Sequence, residues 1–389
     1  MSNFPSGKMK ALVLAGSNWQ KPLVEHLKKI GYYVTIANPV VTECTKMADI
    51  HIKCDIKHYE NIISSINPPL DLVISDQCEA AVIPCAIIAK HFGLLHNDID
   101  AIIKLTDKIE LSKLCKACGF PYPETRIISQ LSNCKTNIDT IIKPRGSFGA
   151  QGFMVVTKEI NDSDLERCRQ LSPTKEIIIQ KKIEGIHLAI DGLCVNGKHQ
   201  TLAIGKKSHF RPGVIKETRY PAEIEEKTKK NIIDQHNKLV EMSGVSFGFT
   251  QAEYICNNDG NFIIDCGLRG GGNGTSSMVT PHLCSFDPYD LLVKIHLGKC
   301  DQTIKWKNKN HASIIFFEFD DGIVRNIKKP KDVIGLKHFE FLIEEGQRIK
   351  PAIDNKGKHA IAIILTETKK NLKDSMKQIK NNITVEIEK

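Results

Sequence analysis

The chain of 389 residues is long enough for two to four domains, each with its own apolar core. Its 41% hydrophobic and 25% charged residues, with a mean hydropathy of −0.21, are typical of a globular protein. The net charge of +9 comes mainly from lysines scattered along the chain. The sequence has no dense basic tract and no base-reading helix, so nucleic-acid binding is not predicted. The charge favours small anionic substrates instead.

No targeting or membrane segment is predicted. The first ten residues lack the apolar run of a signal peptide. The most apolar window, residues 80–95, is interrupted by Pro84, Lys90 and His91 and is too polar to span a bilayer. With thirteen cysteines and no export signal, we expect reduced thiols and a cytoplasmic protein.

The N-terminal residues alternate predicted strands and helices. Strands are predicted at 9–16, 32–37 and 70–75, and helices at 22–30 and 80–92. This order is typical of βαβ units with a parallel sheet. The turn from Gly16 to Trp19 lacks the G-x-G-x-x-G pattern, so a dinucleotide site, and with it a nicotinamide oxidoreductase, has little support.

A glycine-rich hairpin is predicted next. An amphipathic helical region at 98–118 carries Lys108 and ends at Gly119. A strand at 140–143 then leads through the run Pro144 to Gly152 into a strand at 153–156. The run is not a P-loop, because no helix follows it. Its three glycines can still direct backbone N–H groups at phosphate oxygens, with Lys143 at the base as a positive charge.

The following segment predicts mixed structure. A helix is expected at 161–170, capped by Asp162 or Ser163, and strands at 176–180, 187–191 and 200–204. Residues 205–221 are expected to be a long irregular loop, and such a loop in a compact domain is more often functional than idle. Further helices are predicted at 223–243 and 288–297.

A β-hairpin within residues 251–275 carries the strongest chemical signal. Its two strands surround the turn Asn257 to Gly260. Cross-strand pairing would bring Glu253 and Asp265 together, and neighbouring carboxylates favour a cation such as Mg²⁺ between them. Arg269 and three glycines follow, and a guanidinium beside such a loop suits an anion. The alternative is an exposed hairpin with solvated acids.

From about Trp306 the chain changes to short β segments. Strands are predicted at 313–319, 322–326, 339–344 and 360–365, and a helix at 372–382. We interpret this part as a separate α+β domain.

The order of these motifs resembles the ATP-grasp superfamily. A helical lysine, a K-P and glycine-rich hairpin, a strand entering a hinge at 177–185, and two acids followed by R-x-G-G occur in that sequence. The chain looks most like carboxylate–amine ligases related to biotin carboxylase, phosphoribosylaminoimidazole carboxylase ATPase and L-amino-acid ligases. The resemblance covers nearly the whole chain and implies a mixed α/β and α+β fold. It implies a Rossmann-like domain at 1–97, an ATP-grasp domain at 98–304 with a mobile lid at about 124–185, and a small α+β domain at 305–389.

The resemblance also implies residue roles. The ATP-binding residues would be Lys108, Lys143, Ser147, Phe148, Gly149, Ala150, Gln151, Gln180, Lys181, Ile183 and His187. Glu253 and Asp265 would hold Mg²⁺ or Mn²⁺, and Arg269 and Lys143 would be the catalytic residues. The substrate-binding residues would be Glu217, Arg219, Arg269 and Gly271.

Two residues depart from the family pattern. The second acid, usually Glu, is Asp265, and the Asn that many relatives have two residues later is Gly267. Because Mg²⁺ demands near-ideal octahedral geometry, this shorter ligand set should hold a metal more loosely.

The function implied is that of an ATP-dependent carboxylate–amine ligase. It would use ATP and Mg²⁺ to activate a small carboxylic acid, with amino acids among the candidates, as an acyl phosphate and couple it to an amine. A homodimer is expected by the same resemblance. The alternatives are a bicarbonate-activating carboxylase and a nucleotide-binding protein with weak or no turnover, the latter suggested by Asp265 and Gly267.

Overall fold

The structure, a computed structural model, describes residues 7–67, 69–128, 139–147, 149–156, 161–300 and 310–389. Phe148, one of the expected ATP-binding residues, lies outside these ranges. Within them, no helix is both long enough and apolar enough to cross a membrane.

The N-terminal part is a four-stranded parallel sheet with helices packed on it. Its elements are β1 (Lys10–Leu14), α1 (Lys21–Lys29), β2 (Tyr33–Ala37), α2 (Glu43–Lys46), β3 (Ile50–Ile52), α3 (Tyr59–Ser64), β4 (Leu72–Ile74) and α4 (Val82–His91). The strand order is β3-β2-β1-β4. The predicted Rossmann-like sheet is therefore confirmed, and β3 is a short strand that the sequence pattern did not predict.

The helical region after this sheet is two helices rather than one. They are α5 (Ile99–Thr106) and α6 (Lys108–Cys118), and Asp107 between them has extended backbone. The Asp107 carboxylate accepts hydrogen bonds from the N–H groups of Ile109 and Glu110, at 3.0 and 3.1 Å. Asp107 is thus the N-cap of α6, and it places Lys108 at the first residue of that helix.

A second, four-stranded antiparallel sheet carries the glycine-rich run. Its elements are β5 (Thr125–Ile128), β6 (Thr140–Pro144), β7 (Met154–Val156), α7 (Asp162–Gln170) and β8 (Ile177–Lys181). The order is β5-β8-β6-β7, and β6 and β7 form the predicted hairpin. The predicted cap of α7 was wrong, because the side chain of Asn161 accepts the hydrogen bond from the Asp164 N–H, at 2.9 Å.

The central part builds most of an eight-stranded antiparallel sheet. Its elements are β9 (Ile186–Val195), β10 (Lys198–Arg211), β11 (Val214–Tyr220), α8 (Glu226–Ser243), β12 (Gly248–Asn257), β13 (Gly260–Gly267), α9 (Thr280–Cys284) and α10 (Pro288–His296). The predicted irregular loop at 205–221 was wrong, because β10 and β11 pair there as a long hairpin. Polar side chains such as Lys207 and His209 line cavities on this sheet, so the apolar alternation that marks a strand is missing.

The C-terminal part extends the same sheet. Its elements are β14 (His311–Phe317), β15 (Gly322–Lys328), β16 (Leu336–Phe341), β17 (Arg348–Ile349), β18 (Ala360–Thr366), α11 (Lys369–Asn382) and β19 (Thr384–Glu388). The large sheet runs β13-β12-β9-β10-β11-β14-β18-β16, and β17-β15-β19 form a small separate sheet. The mixed α/β and α+β fold is confirmed, whereas the domain boundary at 304/305 stays a prediction.

Asn97 connects the N-terminal part to the large sheet. Its buried side chain donates to the Phe247 carbonyl at 2.9 Å and accepts from the N–H groups of Ser246 and Phe247 at 2.7 and 3.2 Å. Asn97 and Phe247 are both buried, so the hydrogen bonds of the Phe247 N–H and carbonyl groups depend on this amide.

We expect Asn97→Ala to lower the free energy of unfolding by about 2–3 kcal/mol, because it leaves buried backbone groups without partners. Urea denaturation of the purified variant measures this change. Asn61→Ala, at an exposed position of α3, is the matched control and should change stability by less than about 0.5 kcal/mol. Equal stability of the two variants would contradict the prediction.

Candidate active site

The predicted carboxylate pair is brought together. In the antiparallel pairing of β12 and β13, Glu253 lies directly opposite Asp265, and a register irregularity follows at Tyr254. Both side chains line two adjoining cavities. The hairpin prediction is thus confirmed, and its two acids face a space that can hold a ligand.

Glu253 is surrounded by cationic and polar partners. One carboxylate oxygen is 3.0 Å from His187 Nε2, and the other forms a salt bridge with Lys207 of β10. Burial raises the pKa of Glu253, but Lys207 and His187 together outweigh it and hold that pKa well below its ordinary value. Glu253 is therefore a carboxylate whose two oxygens both have partners.

Asp265 is paired with Lys108. The Lys108 ammonium lies 2.9 Å from the Asp265 carboxylate, which is 47% exposed. Burial alone would lower the pKa of Lys108, yet Asp265 and Glu79 raise it above its ordinary value. Lys108 thus stays charged at the junction of the two cavities, both of which it lines.

The donor set for a divalent metal is small. Two neighbouring carboxylates suit Mg²⁺, which commonly takes one or two carboxylates and completes its shell with water and phosphate oxygens. Among the described residues, no three acidic, histidine or cysteine side chains are grouped to hold a metal by themselves. The pair Glu253 and Asp265 therefore fits a metal that also has phosphate ligands. To bind this metal, Glu253 would have to release either Lys207 or His187.

The first cavity, of about 320 Å³, lies beside the β6–β7 hairpin. The predicted residues that line it are Lys108, Lys143, Ser147, Gly149, Ala150, Gln151, Ile183, His187, Glu253 and Asp265. Lys143 donates to the Gln180 side chain at 2.9 Å. Burial, and then the charge of Lys108, lower the pKa of Lys143 to about 7. This amine has no carboxylate within salt-bridge distance in the described residues, and a phosphate would suit it.

The hairpin at this cavity is held from two sides. At its base, Arg145 forms two hydrogen bonds to Asp107, at 2.8 and 3.0 Å, and one to Glu176 at 2.7 Å. At its tip, the Gly149 carbonyl accepts from the Asn355 N–H at 3.1 Å, and Gln151 accepts from Lys356 at 3.1 Å. The C-terminal segment thus contacts the glycine-rich run directly.

The second cavity, of about 530 Å³, contains the predicted arginine. Arg269 donates to Glu79 at 3.0 Å and to Gln251 at 3.2 Å. Gly271 also lines this cavity, and a Cβ there would lie 2.5 Å from Asp191 Oδ1, so only glycine fits. The backbone can therefore pass close to Asp191, whose other oxygen accepts from the Tyr220 hydroxyl at 2.9 Å.

Of the predicted site residues that the structure describes, four line neither cavity. Gln180 is buried beneath Lys143, and the Lys181 N–H is already bonded to the Glu124 carbonyl at 2.9 Å. Arg219 pairs with Glu217 at 2.8 Å, and Glu217 also accepts from Ser313 at 2.9 Å. On the same strand, Thr218 and Tyr220 line the cavity instead. The expected substrate contacts of Glu217 and Arg219 thus find no support in the structure.

Several cavity residues were missed by sequence reasoning. Lys207 and His209 lie on the segment that was expected to be a loop, and His209 stacks on His187 with ring centroids 4.8 Å apart. Burial lowers the pKa of His209 to about 4, so this ring is neutral. Glu79, which pairs with Arg269, comes from the N-terminal part. A strand assignment for 198–211 would have shown Lys207 and His209 on one face, but no local signal marks Glu79.

The comparisons with known proteins agree with this geometry. Residues 105–269 match the sequence profile of the ATP-grasp domain family. The chain therefore carries an ATP-grasp domain, and the predicted relationship to the ATP-grasp superfamily is confirmed. Enzymes of this family are ATP-dependent ligases. No curated protein sequence matches the chain.

Solved structures share the fold along nearly the whole chain. L-amino acid ligase from Bacillus licheniformis superposes with a TM-score of 0.82 at 16% identity, over 98% of this chain and 99% of that one. Phosphoribosylglycinamide synthetase from Anaerococcus prevotii superposes with a TM-score of 0.75 at 15% identity, over 98% of this chain and 100% of that one.

A third similar structure contains nucleotide. It is the biotin carboxylase domain dimer of 2-oxoglutarate carboxylase from Hydrogenobacter thermophilus, solved with MgADP, ADP and bicarbonate. It superposes with a TM-score of 0.74 at 15% identity, over 98% of this chain and 91% of that one. At such identities the likeness shows the fold alone.

The Lys207–Glu253 pair gives a testable energetic prediction. We expect Lys207→Met to lower the free energy of unfolding by about 2–3 kcal/mol, because it leaves a mostly buried carboxylate without its cation. The double variant Lys207→Met/Glu253→Gln should recover part of this loss, since the charge is then removed with its partner. Chemical denaturation of four proteins measures the coupling: the parent, the single variants Lys207→Met and Glu253→Gln, and the double variant.

The neighbouring lysine supplies the control. Lys206→Met, at an exposed position of the same strand, should stay within about 0.5 kcal/mol of the parent protein. Additive effects in the double variant would show that Lys207 and Glu253 do not interact.

Proposed function

We propose that this protein is an ATP-dependent carboxylate–amine ligase, which activates a small carboxylic acid as an acyl phosphate and couples it to an amine. One observation carries the proposal. Two cavities meet at Lys108, Glu253 and Asp265, so that the cavity beside the glycine-rich run and a second, polar cavity adjoin at two carboxylates and a lysine. Transfer of a phosphoryl group from a nucleotide to an acid needs such a junction.

The cavity beside the β6–β7 hairpin is the proposed nucleotide side. Lys143 and Lys108 would neutralise phosphate charge. The N–H groups of the described residues of the run, which are Ser147, Gly149, Ala150 and Gln151, would lie over the phosphates as a lid. Ile183 lines the same cavity next to the hinge after β8, where an adenine ring would find an apolar surface. His187 would contact the ribose.

The larger cavity is the proposed acid side. A substrate carboxylate held near Arg269 would attack the γ-phosphorus in line, releasing ADP and forming the acyl phosphate. The amine would then attack the acyl carbon, and phosphate would leave. Arg269 is positioned by Glu79 and Gln251, so its guanidinium is already oriented before a substrate binds, which favours stabilisation of developing negative charge. On β11, the residues that we propose to contact the substrate are Thr218 and Tyr220, in place of Glu217 and Arg219.

Glu253 and Asp265 would hold Mg²⁺ together with the phosphates of the nucleotide. The metal would supply neutralisation of phosphate charge. Because both oxygens of Glu253 are already engaged, occupancy by metal should depend on the nucleotide. A homodimer, like that of the 2-oxoglutarate carboxylase domain, remains part of the proposal.

The function is tested by measuring ADP release from MgATP in the presence of pools of amino acids and small carboxylic acids. The expected result is release that depends on one acid and rises when a suitable amine is added. Asp265→Asn should reduce this release by at least about tenfold, and Glu217→Gln should leave it nearly unchanged. Release with bicarbonate alone would favour a carboxylase. A rise in melting temperature with MgATP, without release in any pool, would favour a nucleotide-binding protein.

The low pKa of Lys143 predicts a proton linkage. A nucleotide phosphate beside Lys143 would raise its pKa from about 7, so MgADP binding at about pH 8 should take up close to one proton. Affinity should therefore fall as the pH rises above about 7. Calorimetric titration in two buffers of different ionisation enthalpy measures the uptake directly.

Lys143→Met should abolish the proton uptake and weaken binding. Lys182→Met is the matched control, because Lys182 lines the same cavity but its hydrogen bond to Glu184 keeps its pKa above the ordinary value. Proton uptake that persists in Lys143→Met would contradict the assignment.

A further inference from the structure

Lys358 places a buried ammonium group in the wall of the larger cavity. It lies just before β18, is only 4% exposed, and lines the cavity together with Phe316 of β14. Its Nζ atom is 3.1 Å from the centroid of the Phe316 ring. This cation–π contact favours the charged form of the side chain.

This ammonium has no ionic partner in the described part of the chain. Its one hydrogen bond is to the Asn355 side-chain oxygen, at 3.3 Å, and that oxygen also accepts from the Ile215 N–H at 3.0 Å. No carboxylate among the described residues forms a salt bridge with Lys358, although Asp354 acts on it from a longer distance. Buried charges in proteins are ordinarily paired, so a buried lysine beside an open cavity suits an anionic ligand.

Lys358 and Arg269 reach the cavity from segments that are distant in the order of the large sheet. In the large sheet, four strands (β12, β9, β10 and β11) lie between β13, which leads to Arg269, and β14, which carries Phe316. Lys207, on β10, is already paired with Glu253. Burial and the neighbouring charge of Lys207 lower the pKa of Lys358 to about 7, and a bound anion would reverse this shift.

We infer that Lys358 forms an anion subsite that binds a carboxylate of the substrates other than the one that is phosphorylated. The inference rests on the proposed function, since it assigns substrate groups within the same cavity. The carboxylate has two sources: a second carboxylate of the activated acid, or the carboxylate of an amino acid that serves as the amine. In both cases the ligand is an anion at the end of the cavity away from Arg269.

The test is calorimetric binding to the full chain saturated with MgADP, which requires no turnover. One arm compares malonate, succinate and glutarate with their monoamides. The other arm compares α-amino acids with their amides. If the second carboxylate belongs to the activated acid, the dicarboxylates should bind the parent protein more tightly than their monoamides do. If it belongs to an amino acid that serves as the amine, the α-amino acids should bind more tightly than their amides do.

Lys358→Met should weaken the anionic probe about ten- to a hundredfold and leave the amide unchanged. Lys358→Arg should retain most of the affinity because it keeps the charge. Lys350→Met, which removes an exposed lysine of the same segment, is the matched control and should bind like the parent protein. The melting temperature of each variant shows whether it folds.

Equal weakening of acid and amide by Lys358→Met, or no weakening of either, would overturn the subsite. Failure of every probe to bind the parent protein would overturn it as well. These outcomes are distinct from those of the ADP-release assay. The ligase proposal still holds if Lys358→Met has no effect on probe binding. The subsite proposal still holds if the probes bind selectively but no ADP is released.

Discussion

The electrostatic balance around Glu253 and Asp265 is the constraint on which the site depends. Paired residues on neighbouring strands have Cβ atoms only about 5 Å apart, so two carboxylates there repel each other in a partly buried setting. Lys207 and Lys108 offset that repulsion. The first comes from the long strand β10 and the second from the start of α6, so the hairpin acids hold together elements that are distant in the chain.

Residues at the edge of the N-terminal sheet contact the same site. Glu79 follows β4 and orients Arg269. Its neighbours Asp76 and Gln77 bond to Ser276 and to the Gly274 N–H, at 2.8 and 3.0 Å. The glycine-rich turn after β13 is therefore held by residues at the carboxyl end of the parallel sheet, the usual ligand-binding edge of such sheets. Here that edge supports a loop of the larger cavity.

The C-terminal part contributes strands to the large sheet and residues to the walls of both cavities. Three of its strands continue the large sheet, and Asn355 bonds to the β6–β7 hairpin, to Gly213 and to Ile215. Lys356 and Lys358 then face Gln151 and the larger cavity. The proposed nucleotide lid and the proposed substrate wall are thereby joined by one short segment, residues 355–358.

The sequence was enough to predict the parallel N-terminal sheet, the two hairpins and the pairing of Glu253 with Asp265, because each depends on local periodicity and turn residues. It also determined the order of motifs that identifies an ATP-grasp domain. It missed the strand at 205–211, since cavity-facing polar residues remove the apolar alternation. Only the tertiary structure decided the partners Lys207, Glu79 and Lys358, because salt bridges and cavity walls between distant segments leave no periodic trace in the chain. It also decided that Glu217 and Arg219 line neither cavity, since alternate side chains of β11 face opposite sides of the sheet and Thr218 and Tyr220 are the ones that face the larger cavity.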